Sequence, residues 1–193
     1  MTVKLSYSIL HAWEQGRYEE AVAQYLGKPF PATPAMELGK LKHELWERYV
    51  NETGCLPLEL GGGELKNPLT EHKYEKTLDL GKYTILIRGV IDLEYDSTLV
   101  DYKCGVGEPS TYLSGWQLDL YKWLRPDSTL GKYICFNPYT ESVKVGAKFL
   151  GEQQAENAVE NIITYGSEMI DYLRSQKLLR NYERVNAKDD EIN

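Results

Sequence analysis

Apolar residues recur with a helical period at both ends of the chain and with a two-residue period through its middle. From Ser6, the stretch "SYSILHAWEQGRYEEAVAQYLG" predicts helix, with Ser6 as N-cap, a break near Gly16 and a stop at Gly27. Pro29, Pro31 and Pro34 then make a stiff connector. Residues 35–52 predict a second helix, because Met36, Leu38, Leu41, Leu45, Trp46 and Tyr49 fall at helical spacing, and Gly54 ends it. The glycines Gly61, Gly62 and Gly63 read as a flexible loop; no lysine and no strand-to-helix context makes them a phosphate cradle. Strands follow at about 72–80, 83–95 and 98–104, turning at Gly81 and at Asp96-Ser97. Residues 111–124 predict a helix stopped by Pro126, and two more strands, "GKYICF" and "SVKVGAKFL", meet at Asn137-Pro138. A helix from about Glu152 to Leu179 sets Val159, Ile162, Ile163, Met169, Ile170 and Leu173 inward, and residues 186–193 are expected to fray. This order gives an α/β (α+β) fold, a central mixed β-sheet flanked by helices.

Composition narrows the function only a little. The 193 residues fit one domain spanning 1–193, and the 42% hydrophobic and 26% charged content is that of a soluble globular protein. No apolar run reaches the 18 or so residues of a membrane helix, and "MTVKLSYSIL" carries too short an apolar stretch for a secretory signal. Three separated cysteines, Cys55, Cys104 and Cys135, with no C-x-x-C, fit a reducing cytoplasmic setting and cannot build a zinc ribbon or a four-cysteine cluster. A net charge of -7 argues against coating nucleic acid, but not against an enzyme whose acidic site meets phosphate through bound cations.

The candidate chemistry lies in "RGVIDLEYDSTLVDYKCG", residues 88–105. With Asp96 and Ser97 in the turn, Tyr95 faces Thr98, Leu93 faces Val100 and Asp92 faces Asp101, so both carboxylates fall on one side of the sheet. Directly opposed Cβ atoms lie about 4.5–5.5 Å apart, where like charges destabilise the pair. Lys103 shares the face but only partly offsets two carboxylates, whereas a bound divalent cation offsets them more fully. A solvent-facing hairpin with Lys103 bridging two exposed aspartates is the other reading. The apolar residues on both sides of each aspartate favour the metal site.

These residues also carry a resemblance. Gly89 to Asp92 match a "G-x-x-D" motif and Asp101, Tyr102 and Lys103 a "(D/E)-x-K"; Gln117 and Tyr121 match "Q-x-x-x-Y", and Gly39 and His43 match "G-x-x-x-H". In this order the motifs resemble the PD-(D/E)XK nucleases, and within them the RecB-like exonucleases, a group that includes CRISPR-associated and phage proteins. The likeness spans roughly residues 5–170, with the opening "LSYSIL" also similar to the family's start. It implies a restriction-endonuclease-like core and a DNA nuclease, in the first place an exonuclease, using one or two Mg2+ or Mn2+ ions. It further implies His43, Asp92, Asp101 and the Tyr102 backbone carbonyl as metal ligands, Lys103 as the group that orients water or offsets phosphate charge, and Gln117 and Tyr121 as positioning or DNA-contacting residues. DNA, as single strands or duplex ends, is the implied partner, with a helicase or recombination protein needed for any unwinding. Cys104 stands where the family often has threonine, and the iron–sulfur cysteines of many CRISPR-associated members are missing, which favours a cluster-free phage or RecB-type relative.

Other candidates carry less. "HELWE" half-echoes a zincin helix, but the second histidine is absent. His11 and His72 read as structural or solvated, and the four tryptophans sit at helical-core spacing. Glu71, just ahead of the strands, is a lesser candidate for the same site. Two rivals remain open, a catalytically silent DNA-binding or protein-interaction module of this fold and a site-specific endonuclease.

Overall fold

The protein is described from a computed structural model, over residues 1–28 and 31–182. Alternating Val3 and Leu5, both buried, make an opening strand, β1 (Thr2–Ser6), which leads directly into α1 (Tyr7–Glu14) and α2 (Tyr18–Tyr25). Gly16, at φ 71, makes the break between these helices. The long α3 (Pro34–Thr53) has Thr33 capping the Met36 amide and Gly54 in the left-handed conformation at its end. The middle of the chain forms β2 (Leu69–Asp79), β3 (Thr84–Tyr95) and β4 (Thr98–Cys104). Then come α4 (Pro109–Leu113), α5 (Gln117–Leu124), β5 (Leu130–Asn137), β6 (Ser142–Phe149) and α6 (Glu152–Ser175).

The strands form one mixed sheet in the order β1-β3-β4-β5-β6, with β2 paired to β3. Parallel pairs (β1 with β3, β4 with β5) alternate with antiparallel ones (β3 with β4, β5 with β6). The described residues group into two compact units, one from 1–28, 75–89 and 159–182, the other from 31–74 and 90–158, and β2, β3 and α6 contribute residues to each. In the first unit, Leu5, Ile85, Ile87, Ile162, Met169 and Leu173 are buried, and Gly166 lets α6 lie close to Ile85. In the second, Trp46, Val50, Leu60, Leu93, Val100, Tyr102, Ile134 and Phe136 form one apolar cluster. Removing a buried ring such as that of Trp46 costs about 3–5 kcal/mol.

Several sequence expectations change here. The start of the chain is a strand as well as helix, because five residues are too few for a period-2 pattern to stand out. The helix expected over 111–124 is two helices with a break at Ser114–Trp116. On α3, Met36, Leu41 and Leu45 are about half exposed, while Gly39, Trp46 and Val50 face inward. That face combines the large Trp46 ring with a close approach to β4 at Gly39. On α6, Ile163 points outward beside buried Ile162. The triple glycine is tied down by bonds from Leu56 N–H to the Gly63 carbonyl and from Leu65 N–H to the Gly54 carbonyl. The expectations for Pro29 and for 186–193 lie outside the described residues. Among the described residues no helix is long and apolar enough to cross a membrane.

Candidate active site

The hairpin has the expected register over its ladder, Tyr95 with Thr98, Glu94 with Leu99 and Leu93 with Val100, and Asp96 takes the left-handed turn position at φ 49. The backbone ladder ends at Leu93. One residue further, the Asp92 carboxylate accepts the Tyr102 N–H at 2.6 Å, which fixes the carboxylate at the point where the two strands part.

Asp101 is buried on β4 and sits in a closed polar network. Lys103 Nζ lies 2.6 Å from its Oδ2 and donates to Gln117 Oε1 at 2.9 Å, while Gln117 Nε2 donates to Asp101 Oδ1 at 2.5 Å. Gln117 thus holds acid and ammonium at once, one bond with each end of its amide. The Tyr121 hydroxyl, 2.8 Å from the Val90 carbonyl and 3.0 Å from Asp101 Oδ1, accepts from Gln117 at 2.8 Å. Gln117 and Tyr121 reach the same carboxylate because they are four residues apart on α5. Tyr112 and Tyr133 place their rings 5.7 and 5.6 Å from Lys103 Nζ and confine the ammonium.

His43 arrives from α3. A Cβ on Gly39 would stand 3.0 Å from Cys104 Cβ, so the glycine lets the helix approach β4, and His43 follows one turn later. Its ring packs against Trp46 and Tyr102 and has Nδ1 3.8 Å from Asp92 Oδ2.

Ligand atoms of His43, Glu71 and Asp92 all lie within 4.8 Å of one another. A cation bound at about 2.0–2.2 Å from each donor spans close to that separation. Glu71, a lesser candidate from the sequence, is one of the three. Its strand begins earlier than the alternation suggested, at Leu69, and Glu71 has φ 47, a left-handed conformation that a glutamate adopts at a cost of about 1–3 kcal/mol. Asp101, expected in the ligand set, is not in this group of three side chains. Asp101 Oδ2 is nevertheless buried, and its partner among the described residues is the Lys103 ammonium, at 2.6 Å.

The charges are tuned by burial. Burial, and then the Asp101 charge, raises the Asp92 carboxyl well above the usual range, and burial followed by Glu47 raises Glu71. Burial lowers His43 and so favours the neutral, ligating imidazole. Burial would lower Lys103 as well, but the adjoining Asp101 outweighs it and keeps the ammonium above its ordinary value. A half-buried aspartate, a glutamate and a neutral histidine make a donor set that a divalent cation fits. A cleft lined by His43, Glu47, Glu71, Lys73 and Lys103 opens at this point, so a ligand can reach the group.

No family model matches the chain, and no curated protein does. Solved structures do match it. The crystal structure of SSO0001 superposes with a TM-score of 0.57 at 16% identity, covering 88% of this chain and 76% of that one. An alkaline exonuclease from Laribacter hongkongensis matches with a TM-score of 0.53 at 12% identity, covering 96% of this chain and 94% of its own. A phage related exonuclease from Haemophilus somnus 129PT matches with a TM-score of 0.52 at 13% identity over 86% and 83% of the two chains. At these identities the likeness is one of fold, shared with two proteins described as exonucleases.

Proposed function

We propose that this chain is a divalent-metal-dependent DNA nuclease of the PD-(D/E)XK superfamily, in its RecB-like branch, and that it acts as an exonuclease. The observation that carries the reading is the adjacency of two groups, the His43, Glu71 and Asp92 donors and the Asp101–Lys103 pair, on a fold similar to that of two exonucleases.

In this reading His43, Glu71 and Asp92 hold Mg2+ or Mn2+, with Asp101 Oδ2 and the Tyr102 carbonyl as further donors. A cation held by these donors would supply Lewis-acid chemistry toward a phosphodiester and a water. Lys103 presents a fixed positive charge in a poorly solvated site, where it orients the attacking water or offsets the charge that builds on the phosphate. Gln117 keeps Asp101 and Lys103 in register and Tyr121 braces Asp101 from the β3 backbone, so neither pays for reorganisation during the reaction. Lys73, on the cleft wall, gives the phosphate backbone a second cation. Its substrate is DNA with an end, as a single strand or a duplex, any unwinding comes from a separate partner, and three free thiols suit a reducing cytosolic setting.

The test is incubation with end-labelled single- and double-stranded DNA, and with closed circular duplex, in Mn2+ or Mg2+. The expected result is metal-dependent shortening of linear DNA, intact circles, and loss of activity in Asp101→Ala and Lys103→Ala. Cutting of the circles would make it an endonuclease. No cleavage in either metal would leave a silent module of the same fold.

A further inference from the structure

The unit built from the chain's two ends contains a second cavity, of about 330 Å3, lined in part by Lys4, Arg88 and Arg180. Three observations about it point to a ligand. The first is charge. Lys4 Nζ and Arg88 Nε approach the same oxygen of Glu75, at 3.2 and 3.5 Å, and among the described residues no carboxylate meets Arg180. Three cations against one carboxylate leave two positive charges in the lining of a protein whose net charge is -7. The second is an accessible guanidinium. Arg88 lines the cavity with its side chain 42% exposed, while its buried Nε stands beside Glu75 with no hydrogen bond among the described residues, so the group is incompletely satisfied by the protein. The third is the rest of the wall. Leu5 and Ile9 supply apolar surface, and Tyr25 and Tyr182 supply rings.

The segment carrying Arg180 and Tyr182 is held in place as a wall. Asn181 Oδ1 accepts the Thr2 N–H at 3.1 Å, Tyr182 OH accepts from Lys4 Nζ at 3.1 Å, and the Tyr25 hydroxyl accepts the Arg180 N–H at 2.8 Å. The Tyr182 ring lies 4.4 Å from Lys4 Nζ, which fixes both groups relative to each other.

We propose that this cavity binds a nucleoside monophosphate, its phosphate on Lys4, Arg88 and Arg180 and its base against the apolar and aromatic part of the lining. Two charges in the lining match a phosphate monoester, which carries about -1.5 to -2 near neutral pH, better than a diester with its single charge. Arginine suits the terminal phosphate because its planar fork can donate two bonds to two oxygens. The volume is at the low end of the roughly 300–1,000 Å3 of ligand cavities, which suits one small ligand rather than a strand. This site stands apart from the nuclease reading and is tested apart from it.

The experiment is calorimetric titration of the full chain with AMP, adenosine, inorganic phosphate and 3′,5′-cyclic AMP, in EDTA so that no metal at the other site captures phosphate. Saturable AMP binding is expected, with adenosine, phosphate and the cyclic diester each at least about tenfold weaker. Arg180→Gln, an exposed residue outside the core, and Arg88→Gln should each weaken AMP at least about tenfold, with an unchanged far-ultraviolet circular dichroism spectrum. Asp101→Ala should bind AMP as the wild type does. The proposal is overturned if the wild type shows no saturable AMP binding, if adenosine or cyclic AMP binds as tightly as AMP, or if both arginine variants bind as the wild type does.

Discussion

Gly39→Ala perturbs the candidate site from a residue that touches none of its donors. The new methyl would stand 3.0 Å from Cys104 Cβ, an atom fixed to the β4 backbone that cannot rotate away, where ordinary contact begins near 3.4 Å. Relief therefore requires α3 to lift by about 0.4 Å or more, and His43 rides on the next turn. Stability should change little, because overpacking costs about 1–3 kcal/mol and replacing a mid-helix glycine by alanine returns about 1 kcal/mol. At about 2–4 °C per kcal/mol for a chain of this size, Tm should fall by no more than several degrees. Geometry is affected more. A 1 Å misplacement in an active site costs about a hundredfold, so a shift of a few tenths should cost roughly tenfold. The assay is the rate of nucleotide release from linear DNA at saturating Mn2+, with Tm by differential scanning calorimetry alongside. Removing the opposing Cβ in Gly39→Ala/Cys104→Gly should restore most of the rate. A Gly39→Ala protein with the wild-type rate, or a double variant with no recovery, would refute the reasoning.

Other predictions follow from the same geometry. In EDTA, Asp92→Asn should be more stable than the wild type by about 0.5–2 kcal/mol, since the amide keeps an acceptor for the Tyr102 N–H and loses the buried charge. Because the folded-state pKa of Asp92 is raised, its favourable contribution is complete below the unfolded value near 4 and is lost as pH rises toward the folded value. The Tm gap between variant and wild type should accordingly open as pH climbs from about 4, and a gap that is constant or closes contradicts it. Mn2+ at about 100 times its Kd should raise the wild-type stability by about 2.7 kcal/mol, a Tm increase of roughly 5–11 °C. Glu71→Gln should lose most of that increase in calorimetry, whereas a bystander glutamate would leave it intact. Lys103→Met should lower kcat about 10²–10³-fold while Mn2+ still raises Tm, because its charge acts on the substrate and not on the ion.

Much of this was legible in the sequence where a short-range rule applied. The Asp96 turn set the hairpin register, and the register set Asp92 near Asp101. What local rules missed was set by tertiary contact. Helical spacing of apolar residues rightly included Trp46 on α3 but also took in Met36, Leu41 and Leu45, which are about half exposed, because the helix packs where Gly39 meets Cys104. Glu71 reaches His43 and Asp92 through a left-handed backbone position that no residue preference announces for a glutamate. The resemblance implied Asp101 as a metal donor; the structure sets it beside Lys103, Gln117 and Tyr121, a network that no sequence spacing announced.

The central claim is that the His43, Glu71 and Asp92 donors and the Asp101–Lys103 pair form one metal-dependent phosphodiesterase site. A time course of acid-soluble nucleotide release from 5′-labelled linear duplex, run in Mn2+ and in EDTA with wild type, Asp92→Asn and Lys103→Met, tests it most directly. The account predicts release by the wild type in Mn2+ alone and a loss of at least a hundredfold in each variant. Release that persists in EDTA, or that survives both substitutions, would contradict it.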